Sequence, residues 1–91
     1  MTNAEINLAI AKIEYPDGSY PQFDTPVSGL AVDYCDSSSD IGPIIERERI
    51  HLYPQIKDWI AECYGESDVE AYAETPTKAA ALCYLKMKGV V

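Results

Sequence analysis

Val69-Glu-Ala-Tyr-Ala-Glu-Thr-Pro-Thr-Lys-Ala-Ala-Ala-Leu-Cys-Tyr-Leu-Lys-Met-Lys-Gly89 reads as one strand turning abruptly into one helix. Val69, Ala71 and Ala73 alternate with Glu70, Tyr72 and Glu74, the two-residue period of a half-buried strand. Thr75 then offers an N-cap oxygen, and Pro76 takes the first helical position, where its missing N–H has no intrahelical partner to lose. Lys86 and Lys88 fall where the helix dipole favours cations, and Gly89 is the stop signal. A small sheet is stable only when its apolar face is covered, so the segments upstream have to close over this unit.

Working backwards, residues 50–53 alternate, 54–58 carry turn residues, and 59–64 form a second strand with Trp59, Ala61 and Cys63 facing one way. Short connections between consecutive strands make antiparallel neighbours, so a three-stranded meander is predicted over residues 50–73. Asp36-Ser37-Ser38-Ser39-Asp40 supplies oxygen caps for a helix at about 39–49, with Ile41, Ile44, Ile45 and Glu48 on one side, and 30–35 reads as a short extended segment. Thr2-Asn3-Ala4-Glu5 has the form of a capping box, and the helix it opens over 3–13 buries a stripe of Ile6, Ala9, Ile10 and Ile13. Residues 14–29, rich in Pro and Gly, read as a surface loop anchored by Tyr15, Tyr20 and Phe23. The predicted fold is α+β: about three helices packed on a small antiparallel sheet, sandwich-like, in a single domain over 1–91.

Composition narrows the function classes. A hydrophobic share of 47% with 24% charged residues is that of a globular chain, which excludes disordered and collagenous classes. No apolar run approaches the ~20 residues needed to cross a bilayer. The opening Met-Thr-Asn-Ala-Glu has neither the basic nor the apolar region of a signal peptide, so the cytoplasm is the expected location. Cys35, Cys63 and Cys83 are odd in number and widely spaced, which argues against a disulfide framework and against a zinc site completed by His51. A net charge of −8 opposes direct binding to a phosphate backbone. Asp36 and Asp40 do not begin a calcium loop, because the glycine and closing glutamate of that pattern are misplaced.

No catalytic, cofactor or metal residue is assigned. His51 is the single histidine and sits in an alternating strand that no glycine-rich phosphate loop or paired carboxylate motif accompanies, and Asp36 beside Cys35 makes that thiol less reactive. Binding is the better class. On a helical wheel Ala79, Ala80, Cys83, Tyr84 and Met87 form one stripe, while Leu82 and Leu85 lie near the opposite side beside Lys78 and Lys86. A helix apolar on both sides needs two covers. The second is the first helix, a second copy in a homodimer, or a protein partner, so Leu82 and Leu85 are read as a candidate partner surface, with Tyr20 and Phe23 as further candidates on the loop.

The helix opened by Asp36-Ser37-Ser38-Ser39-Asp40-Ile41, the Trp59 strand, and Ala73-Glu74-Thr75-Pro76-Thr77-Lys78-Ala79-Ala80 together resemble the phage alpha-beta-alpha sandwich domain proteins, small phage-encoded accessory proteins. The likeness covers about residues 34–89. It implies a phage or prophage origin, an α+β sandwich and an unassigned biochemical role, with no catalytic residue to carry over; for such a protein the expected cytoplasm is that of the host cell. Two roles follow as expectations: a non-catalytic protein-binding module, or an acidic, DNA-mimic-like inhibitor of a host nucleic-acid-binding or defence protein.

Overall fold

The computed structural model describes residues 1–19, 32–63 and 69–90. Six elements follow one another: α1 (Asn3–Glu14), α2 (Ser38–Glu48), β1 (His51–Pro54), β2 (Trp59–Cys63), β3 (Val69–Ala73) and α3 (Pro76–Met87). The capping box at the start of α1 forms as the sequence predicts. Thr2 Oγ1 accepts from the Glu5 amide at 3.2 Å, and Glu5 Oε1 accepts from the Thr2 amide at 3.0 Å. At α3, Thr75 is extended and its Oγ1 accepts from the Lys78 amide at 3.3 Å, directly ahead of Pro76.

The approach to α2 differs from expectation. Residues 32–35 are not a strand, and Tyr34–Asp36 make a turn. The cause is the Asp33 carboxylate, whose Oδ1 accepts from the Cys35 and Asp36 amides, both at 3.2 Å, and so bends the chain locally. Ser37 is the N-cap but makes no side-chain cap bond. Asp40 instead reaches back from the first turn and accepts from the Asp33 amide at 2.9 Å. Pro43 lies inside α2, and the helix ends on Arg49 in the left-handed region, at φ 55°.

The three strands form one antiparallel sheet in the order β1-β2-β3. In register, Leu52, Ala61 and Ala71 make one row of the inner face, and Pro54, Trp59 and Ala73 the next. Helix α3 lies over that face. Ala61 and Ala71 on the sheet and Ala79, Ala80 and Ala81 on the helix are all essentially inaccessible to solvent. Helices α1 and α2 cover the other side of α3, which therefore runs between the sheet and a helix pair. One cluster of buried side chains joins α1 (Ile6, Ile10), α2 (Ile41, Ile44), the sheet and α3. This is the predicted α+β architecture.

Candidate functional site

Neither of the two most buried thiols is ionised at neutral pH. Burial above all pushes Cys35 and Cys83 up to about 11, with the charge of Asp33 adding at the first and Cys63 at the second, so each remains a protonated thiol. The three cysteines form no disulfide. Among the described residues no group of His, Cys, Asp and Glu is arranged to hold a metal ion. His51 lies on the exposed face of β1 with its ring stacked on Tyr53, the centroids 6.5 Å apart.

Two polar networks tie the helices together. In the first, Tyr84 donates to Glu14 Oε2 at 2.6 Å, and Arg47 grips the same carboxylate with two parallel bonds of 2.9 and 3.0 Å. The Arg47 guanidinium and the Lys88 ammonium also lie 5.9 and 5.5 Å from the centre of the Tyr84 ring. One carboxylate on α1 thus holds a cation from α2 and a phenol from α3. In the second network, Asn7 bridges the Asp33 turn, donating to Asp33 Oδ1 at 3.1 Å and accepting from the Cys35 amide at 3.2 Å. Thr77 donates to the Cys35 carbonyl at 2.6 Å. Both connect elements to one another, and Glu14 also borders an open cavity lined by Tyr15, Tyr34, Asp40 and Pro43.

The packing corrects one residue of the predicted partner surface on α3. Leu85 is fully buried, because α1 and α2 cover the side of α3 that faces away from the sheet, and a buried leucine is worth ~1.5–3 kcal/mol more there than in water. It is a core residue. Leu82 is half-buried and lines an open groove with Met1, Tyr72, Glu74 and Lys78, floored by Ile6. Tyr20 and Phe23 lie outside the described residues.

The outer face of the sheet carries what the sequence reading passed over. Tyr53, Ile60 and Tyr72 are in register across β1, β2 and β3 and form a single row. Tyr53 is 44% exposed and Tyr72 49%, with Ile60 half-buried between them. Ile56, at the tip of the β1–β2 hairpin, is fully exposed. The next row is His51, Glu62 and Glu70. Directly opposite residues in a sheet stand ~5 Å apart at Cβ, so three bulky side chains in one row make a continuous strip. The signal was present in the alternation of each strand, and it becomes a surface only once the register aligns the three. No element covers this face among the described residues.

Comparison with known proteins gives one positive result. The family model described as "Bacteriophage P22, NinX" matches residues 1–88. No curated protein and no solved structure matches the chain.

Proposed function

The chain belongs to the bacteriophage P22 NinX family, and from that premise we propose that it is a non-catalytic accessory protein that works by binding another protein in the host cytoplasm. The observation that carries this reading is the row Tyr53, Ile60 and Tyr72, an aromatic and aliphatic strip left open to solvent on a sheet whose other face packs against α3. Tyrosines are enriched at protein contacts because they bury a large ring at small entropic cost and keep a polar tip wet. Protonated, buried thiols at Cys35 and Cys83 support a non-catalytic role. The groove beside Leu82 shares Tyr72 with the strip, so the binding surface extends round the β3 edge.

The test is capture from host lysate by the immobilised chain, comparing wild type with the double variant Tyr53→Ala/Tyr72→Ala and with Glu46→Gln on the exposed side of α2. Retention of one host protein by wild type and Glu46→Gln, with loss in the double variant, is the expected outcome. Equal retention by all three removes the sheet face from the function.

A further inference from the structure

The aromatic strip on the outer sheet face is edged by carboxylates. Glu62 and Glu70 stand with His51 in the adjacent row, Asp58 precedes β2, Glu74 follows β3, and one cation, the Lys86 ammonium, donates to the Glu70 carbonyl at 2.7 Å. The Tyr72 phenol registers their field: the charge of Glu70 first, then partial burial and a hydrogen bond to Glu70, then Glu62 and Asp58, raise it above its ordinary 10. Flat rings flanked by fixed negative charge are complementary to a guanidinium, which stacks on a tyrosine face and turns its fork of donors towards a carboxylate. The same chain already makes this arrangement inside itself, where Arg47 lies 5.9 Å from the centre of Tyr84 while bonded twice to Glu14.

Resting on the reading of this face as a binding surface, we propose that its occupant is an arginine-bearing extended segment of a partner protein, with a guanidinium over Tyr72 directed to Glu70 and an aliphatic side chain on Ile60. A second copy of the chain fits poorly, since pairing two such faces would set Glu62 and Glu70 against like charges. Nucleic acid fits poorly for the same reason.

The probe is a short fluorescein-labelled peptide alternating Arg and Val, with Lys/Val and Glu/Val counterparts, titrated against the full chain by fluorescence polarisation. The Arg peptide binds most tightly, the Lys peptide more weakly because it lacks the planar fork, and the Glu peptide not at all. Binding weakens as the Debye length falls from about 10 Å at 0.1 M salt to about 3 Å at 1 M. Tyr72→Ala and Glu70→Gln each lower affinity by about tenfold or more, the scale of a truncated contact residue, and Glu46→Gln does not. Both substituted side chains are exposed, so circular dichroism shows unchanged folding. No binding of the Arg peptide, or equal binding to Tyr53→Ala/Tyr72→Ala, overturns the proposal, as does sedimentation showing a dimer that Tyr72→Ala dissolves. If the peptide fails while capture from lysate still depends on the tyrosines, the arginine assignment falls and the binding surface stands. If both fail, both fall.

Discussion

Glu14 is under opposing pressures. Partial burial raises its pKa, but the hydrogen bonds from Arg47 and Tyr84, with the charges of Arg47 and Lys88, outweigh it and hold the carboxyl below its ordinary 4.5. A depressed folded-state pKa contributes stability that is complete above the unfolded value and is lost as pH falls through the folded one. Glu14→Gln is therefore less stable than wild type at neutral pH by about 1 kcal/mol, a modest figure because the Arg47 side chain is 51% exposed. Urea titrations at falling pH check this: the gap between the two proteins closes below the ordinary carboxyl value. A gap that stays constant down to acid pH contradicts the role given to the carboxylate. Tyr84→Phe tests the same knot from α3. It removes a 2.6 Å bond from a buried phenol to an ionised acceptor and costs about 1–2 kcal/mol, read as a lower urea midpoint at unchanged slope. This knot was not legible in the sequence, since residues 14, 47 and 84 share no local pattern. Leu85 was misread for a related reason: the helical wheel marks a second apolar side correctly but does not say that α1 and α2 will cover it.

At the scale of elements the local rules were sufficient. The capping box, the Thr75-Pro76 start and the alternation in all three strands each depend on residues within a few positions of one another, and each element formed within a residue or two of its predicted limits. Residues 32–35 fell outside those rules because a side chain, Asp33, took over the hydrogen bonding that an extended segment would have left to a neighbouring strand. Two substitutions probe the element ends. Thr75→Ala leaves the Lys78 amide without its acceptor and lowers stability by about 1 kcal/mol, with the loss seen in thermal unfolding followed by circular dichroism. Arg49→Gly acts in the opposite direction. Arg49 terminates α2 at φ 55°, ψ 47°, a conformation that costs a residue with a Cβ about 1–2 kcal/mol and glycine little. Part of that gain is cancelled by the greater freedom of glycine in the unfolded chain. A net rise in unfolding midpoint is expected. A fall would mean that the exposed Arg49 side chain holds the helix end in a way its backbone does not reveal.

At the scale of the whole molecule, α3 is the element that all others touch, and this decides how the chain comes apart. Among the described residues, the sheet on one side and the helix pair on the other bury their apolar residues with α3 and the Tyr34–Cys35 turn in one continuous cluster. Among the described residues neither layer has a second core to fall back on, and a three-stranded meander stripped of its cover is not stable alone. Unfolding is therefore expected to be all-or-none. Trp59, the single tryptophan, sits half-buried on the inner face of β2 and packs against that cluster, so its fluorescence follows the sheet–α3 contact. Far-UV circular dichroism at the helical minimum follows α1 and α2 as well as α3. The two signals, recorded on the same urea titration, should give the same midpoint and the same slope. If fluorescence changes first while helical signal persists, the helix layer survives without the sheet, and α3 is not the common support that its position implies.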